Sequence, residues 1–357
     1  MLRAGKAWLL NMNRYKYLDI ARGIGLMLVI ISHSCGLSHY LINFYIPLFF
    51  LVSGYIYKEG RSYGENISRK AKRLLIPYFG YSALLFAFYA AIRRNASEIL
   101  ESAFGIVYSR YCLYDTTQFT DNRYLFTVAN GAMWYLTAFF TASLVYHLVI
   151  DRCLASRKFL AGCLAVLLAV TMALAELPIL LPWSLDLACV GTLFLIVGTF
   201  LGRAKFFERD WNIPLVLAVF ALYMGLGYIN PGINMSVREY GVYGALSVPF
   251  FILIGISGSL LCIWLAKLVQ NLLIGRVLGY IGQNTIVLLA LHILGLELVG
   301  IVIGRLIDVG SLSKAAYVLY HAVRIGLAVA GGLVFGKLVE GGKSAYERRK
   351  NEQKFEH

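Results

Sequence analysis

Leu18-Asp19-Ile20-Ala21-Arg22-Gly23-Ile24 opens a stretch that runs on without a polar side chain to Ile31 and then reaches Ser32 and His33. A run of this length reads as a membrane-crossing helix, which needs about 20 residues to traverse a hydrocarbon layer of roughly 30 Å. Further apolar runs lie at about 41–57, 74–91, 132–150, 159–175, 187–201, 213–228, 244–266, 281–303 and 315–337. Unbroken segments such as Phe250 to Ile254 exclude the every-second-residue alternation of a membrane β-barrel. The expected architecture is all-α, a polytopic integral membrane bundle of about ten transmembrane helices. The membrane domain takes residues 18–338, between an N-terminal segment 1–17 and a basic tail 339–357.

Composition supports this. Of 357 residues, 59% are hydrophobic and 15% charged, against roughly 25% charged in a soluble domain. The net charge of +14 does not point to nucleic acid, because the cations fall in short clusters between apolar runs rather than on one basic face. Membrane orientation accounts for them: with the N-terminus inside, 24 Lys and Arg lie on inner segments and 7 on outer ones, Arg22 and Arg324 being within spans. Both termini are therefore expected in the cytoplasm. The run Trp8 to Met12 is too short for a signal peptide's apolar region, so the first span is expected to be retained. The outer loop at about 92–131 is long and Tyr-rich, as a cap or as a carbohydrate-contacting segment. Of the six cysteines, five read as small apolar residues, and Cys112 as a free thiol in a polar loop. The His, Cys, Asp and Glu residues have no metal-ligand spacing, so no metal is expected.

Ionisable residues inside membrane spans are costly and point to function. The first span carries Asp19, Arg22 and His33. The eleven steps from Arg22 to His33 turn through about 1100°, three turns plus about 20°, so both lie on one helix face, roughly 16 Å apart along the axis. Arg22 then sits near the cytoplasmic surface and His33 in the outer half, an arrangement suited to a long ligand. Asp19, three residues before Arg22, can pair with it and orient the guanidinium, or the two can simply anchor the helix end. His33 is either a buried hydrogen-bonded imidazole or the natural general base for a substrate hydroxyl. Ser53 and Gly54, near the level of Arg22, suit helix packing or a ligand channel. Arg69, Lys70, Lys72 and Arg73 follow as topology-determining cations or as a phosphate cradle. Farther along, His292, His321, Arg324 and Glu176 are candidates for the acceptor side, His321 and Arg324 sharing a helix face.

Three segments in order carry a resemblance: Leu18-Asp19-Ile20-Ala21-Arg22-Gly23-Ile24 with His33; Pro47-Leu48-Phe49-Phe50-Leu51-Val52-Ser53-Gly54-Tyr55; and Arg73-Leu74-Leu75-Ile76-Pro77-Tyr78. Met133-Trp134-Tyr135-Leu136 and Leu278-Gly279-Tyr280-Ile281-Gly282-Gln283-Asn284-Thr285 with His292 extend it. Together they resemble the acyltransferase 3 family, membrane O-acyltransferases of bacterial surface polysaccharides, antibiotics and cell-wall glycans, and most closely its fucose 4-O-acetylase-like branch. That branch often has a histidine where this chain has Tyr45, and the family's Arg-x-x-Arg pattern appears here as Lys70-Ala71-Lys72-Arg73 or as Arg69 to Lys72.

The resemblance implies a multi-pass protein of the bacterial cytoplasmic membrane that moves an acetyl group from acetyl-CoA to a hydroxyl of a surface glycan or its precursor. Arg22, Ser53, Gly54 and the cations at 69, 70, 72 and 73 are then expected to hold the donor, with Asp19 and Trp134 in support and His33 as base. The competing reading is a transporter or flippase for a lipid-linked glycan, which also needs many spans and buried charges.

Overall fold

The computed structural model describes residues 16–92, 95–114, 128–209 and 213–355. Residues 1–15 of the expected N-terminal segment, and Arg93, Arg94 and 115–127 of the expected outer loop, lie outside them. The helices in chain order are α1 (Lys16–Cys35), α2 (His39–Ile42), α3 (Tyr45–Tyr55), α4 (Tyr63–Ile92), α5 (Ala96–Tyr108), α6 (Trp134–Ala155), α7 (Arg157–Ala175), α8 (Ala188–Arg203), α9 (Ile213–Ile229), α10 (Ser247–Val269), α11 (Leu273–Gln283), α12 (Thr285–Gly304) and α13 (Lys314–Phe355). Among the described residues the strands are one two-residue pair, β1 (Ile233–Asn234) and β2 (Glu239–Tyr240), antiparallel in an outer turn.

Among the described residues, eight helices are long and apolar enough to cross a membrane. The all-α membrane bundle expected from the apolar runs is thus the fold the chain adopts. Helix α9, with 17 residues, stands at the lower limit for crossing. Helix α3 has 11 residues and reaches only about 16 Å, half the hydrocarbon layer. The expected span at 41–57 is interrupted at Asn43 and Phe44, and Asn43 lines a cavity together with the flanking helix residues Ile42, Tyr45 and Ile46. The sequence reading also overlooked α5, in the long outer loop, and α11, between α10 and α12.

Helices α6 and α8 form the centre: 72% of the apolar window of α6 is buried, against 17% in each of α4, α7 and α13, whose apolar side chains face outward. Close backbone contact sets two of the pairings. An added Cβ on Gly23 would lie 1.9 Å from the Leu278 carbonyl oxygen, and one on Gly282 would lie 1.9 Å from the Asp19 carbonyl oxygen. Only glycine lets α1 and α11 approach so closely, and the contact brings Gln283 beside Asp19. Gly54, Gly198 and Gly202 do the same between α3 and α8, their added Cβ atoms falling 2.1 to 2.3 Å from carbonyl oxygens of Leu195, Leu51 and Tyr55.

Candidate active site

Two cavities flank α1, one on the side of the Lys and Arg excess and one towards the outer loops. The inner chamber, roughly 880 Å³, is lined by Asp19 and Arg22 of α1, Ser53 of α3, Lys70 and Arg73 of α4, and the segment Gln283 to Val287 where α11 gives way to α12. Arg22 Nη1 donates to the Asp19 carboxylate at 2.9 Å, and Gln283 Nε2 donates to its other oxygen at 3.4 Å. Lys70 Nζ donates to Ser53 Oγ at 3.3 Å and lies 4.5 Å from the centre of the Phe139 ring. Three cations therefore share a chamber with one carboxylate, an arrangement that lacks an anion.

Helical spacing sorts the basic cluster. Lys70 and Arg73, three residues apart on one face, line the chamber; Arg69 and Lys72 lie about 100° and 200° round the helix from Lys70 and do not. Of the two possible counterparts of the Arg-x-x-Arg pattern, Lys70 with Arg73 is the one facing the cavity. Pro77 lines the same wall and leaves the Arg73 carbonyl without its helical donor. The N-terminus of α12 adds to the positive field: Asn284 makes no side-chain cap, so the first-turn N–H groups behind Thr285 keep their donor capacity at the dipole's positive end. Gln283, Asn284 and Thr285 were not expected as donor-side residues. An Asn-Thr pair directly before a long apolar run was the available signal.

Gly54, expected beside the donor, instead packs α3 onto Leu195 of α8 and does not line the chamber.

The outer chamber, roughly 740 Å³, is lined by Ser32 and His33 at the end of α1, Asn43 and Tyr45 at the α2–α3 break, Tyr111, Trp134 and Tyr135, and Asn234 and Ser236 of the outer turn. Trp134 therefore stands on this side and not with the donor residues. No Asp, Glu, Lys or Arg among the described residues lines it. The His33 ring lies 5.2 Å, centre to centre, from that of His292. His292 Nδ1 is 2.9 and 3.1 Å from the carbonyl oxygens of Leu289 and Leu288, so Nδ1 carries the proton and Nε2 presents a lone pair.

His321, Arg324 and Glu176 line neither chamber. His321 Nδ1 pairs with Ser34 Oγ at 2.8 Å, next to His33 in sequence. Arg324 Nε donates to the Leu296 carbonyl at 2.8 Å, and the Glu176 carboxylate accepts from the Ala245 N–H at 2.8 Å. Their partners are helix and loop backbone or a neighbouring serine, which suits the joining of elements.

The roof over the outer chamber depends on three residues that sequence reasoning did not bring together. Arg110 and Arg238 both pair with Asp186, and all three side chains are fully buried. The remaining guanidinium N–H groups go to backbone oxygens: Arg110 to Leu181 and Ser236, at 3.2 and 2.7 Å, and Arg238 to Leu174, at 2.6 Å, and to Leu177. Three outer loops are thereby tied together. Their reach brings Tyr111 Oη within 2.8 Å of Ser236 Oγ on the chamber wall.

Arg22 and His33 share a helix face, as their spacing requires, yet they line different chambers. The two spaces have Tyr135 and Leu289 in common, so the partition between them is built from those two side chains. Tyr135 is held by the rings of Phe49, Phe50 and Phe139 at 5.5 to 5.8 Å between centres. The single continuous stripe expected from α1 is thus divided by a residue contributed from α6.

A family model described as an acyltransferase domain matches residues 15–335, nearly the whole chain. No curated protein and no solved structure matches.

Proposed function

The chain belongs to the acyltransferase 3 family, and from that premise we propose that it is an acetyl-CoA-dependent O-acetyltransferase acting on a hydroxyl of a surface glycan or its precursor. The observation that carries this reading is the division of labour across Tyr135: an anion-seeking chamber on one side, and a chamber with an open histidine and no fixed charge among its described lining on the other.

The donor's phosphates would lie against Arg22, Lys70 and Arg73 and the first turn of α12, which supply charge-assisted hydrogen bonds. Asp19 and Gln283 hold Arg22 in place rather than neutralise the site. The pantetheine arm then follows α1 outward, passing Tyr135 and Leu289 when those side chains part. At His33 the imidazole takes the proton of an acceptor hydroxyl as its oxygen forms a bond to the thioester carbonyl carbon. Collapse of the tetrahedral adduct breaks the carbon–sulfur bond, and the thiolate leaves with the proton held by His33. The products are an ester and the free thiol.

The test is acetyl transfer by purified protein in lipid, with labelled acetyl-CoA supplied on the side of the Lys and Arg excess. Appearance of an ester-linked label on a glycan acceptor, abolished by His33→Ala, is the expected result. Undiminished transfer by His33→Ala would remove the base from the scheme, and glycan movement without acetyl-CoA would replace the enzyme with a transporter.

A further inference from the structure

We infer that Lys70 is a self-acetylation site: when acetyl-CoA is bound and no acceptor is in place, its amine takes the acetyl group as an amide. The inference rests on the acyl-transfer reading for the thioester in the inner chamber, and its readout, an amide on the chain itself, stands apart from transfer to a glycan.

Lys70 precedes the apolar part of α4, which begins at Leu74, and is half-buried in the wall of the inner chamber. Its Nζ donates to Ser53 Oγ at 3.3 Å and lies 4.5 Å from the centre of the Phe139 ring, and both of those residues line the same space. The Phe139 ring is in turn 5.8 Å, centre to centre, from that of Tyr135, so one aromatic ring separates the amine from the partition. Until Tyr135 and Leu289 part, the acyl end of a donor held at Arg22 and Arg73 is stopped beneath them, in the space that Lys70 lines.

Among the described residues Lys70 is the one amine in this lining. Arg22 and Arg73 keep their protons and are not nucleophiles, whereas a lysine set beside other cations and against an aromatic ring sheds its proton more readily and attacks as the amine. The carboxylate of the chamber, Asp19, is engaged by Arg22 and Gln283. The reaction balances with no further reactant. Lys70 releases one proton to water; its nitrogen then forms a bond to the thioester carbonyl carbon, the carbon–sulfur bond breaks, and a proton from the nitrogen passes to the departing thiolate. An N-acetyl-lysine and the free thiol result. The amide N–H can still donate to Ser53 Oγ, but the positive charge is gone, so the chamber holds the donor's phosphates less well. A protein supplied with donor and starved of acceptor thereby lowers its own affinity for donor.

The experiment incubates full-length protein in detergent with acetyl-CoA carrying a deuterated acetyl group and no acceptor, and follows each lysine by mass spectrometry after chymotryptic digestion. Lys72, two residues on and outside the chamber lining, is the internal control, and acetyl phosphate, which lacks the nucleotide, is the comparison reagent. Expected is acetylation of Lys70 at least tenfold faster than of Lys72 with acetyl-CoA, no such preference with acetyl phosphate, and a KM for acetyl-CoA that climbs with the time of preincubation. The climb is expected to be absent from Lys70→Arg, whatever KM that variant starts from, and acetylation of Lys70 is expected to persist in His33→Ala. Lys70 left unmodified or modified no faster than Lys72, the same preference with acetyl phosphate, a climb that continues in Lys70→Arg, or loss of the modification in His33→Ala would each overturn the inference. Acetylated Lys70 without any glycan product would uphold it while removing glycan acetylation as the activity, and a glycan product with Lys70 unmodified would do the reverse.

Discussion

The two chambers on either side of Tyr135 are similar in size, roughly 880 and 740 Å³, and opposite in character. The inner one gathers Arg22, Lys70 and Arg73 around Asp19 and the start of a 20-residue helix. The outer one offers hydroxyls, amides, aromatic rings and His33. Charged and neutral polar side chains thus gather at separate ends of one helix, α1, and the residue dividing them comes from α6. A group-transfer enzyme gains from such separation: the donor can be held by its charge while the reacting end lies in a space free of competing ions.

That contrast is most exposed to failure at His33. Its replacement by alanine is expected to lower kcat for acetyl transfer by about 10²- to 10⁴-fold, the usual contribution of a general base, with the KM for acetyl-CoA unchanged. A matching rise in that KM would mean that His33 touches the donor's binding end. Next in size is the roof of the outer chamber. Asp186→Ala leaves Arg110 and Arg238 buried without their carboxylate and is expected to cost about 3–5 kcal/mol of stability, read as a lower midpoint of thermal unfolding in detergent. An unchanged midpoint would show that the three loops hold together without the ion triad.

On the inner side, Arg22→Ala removes charge-assisted hydrogen bonds that contribute about 1.5–3 kcal/mol, and a rise of about 10- to 150-fold in the KM for acetyl-CoA is expected. Arg22→Lys recovers only part of this, because an ammonium cannot reproduce the planar fork that Asp19 orients. The smallest effect is screening. Raising ionic strength from 0.1 to 1 M shortens the Debye length from about 10 to 3 Å, so donor affinity is expected to fall several-fold while acceptor affinity changes little. Equal salt dependence for both substrates would erase the distinction between the chambers.

Much of this organisation was legible before any coordinates. The long apolar runs gave helices at nearly all the expected places, and Arg22 and His33 lie in one continuous helix as expected, though they line different chambers. The interruption at Asn43 was hidden because residues 41–57 are apolar almost throughout, and Pro47 falls in the first turn of α3, where proline is tolerated. Helix α11 was masked because its last residues merge with the apolar run at 281–303, and because its role comes from glycine contacts with α1 that no periodicity reveals. The division of the α1 stripe by Tyr135 depends on a side chain more than a hundred residues away in sequence. The same holds for Arg110, Asp186 and Arg238, which lie far apart in sequence and meet only in the fold.

The proposed movement of the donor past Tyr135 is tested most directly by a structure of the protein with a non-hydrolysable thioether analogue of acetyl-CoA. The account predicts the diphosphate against Arg22, Lys70 and Arg73, Tyr135 displaced from its present rotamer, and the acetyl end beside the His33 imidazole. An analogue whose acyl end stops on the inner side of an unmoved Tyr135, or lipid filling the space between Arg22 and His33, would contradict it.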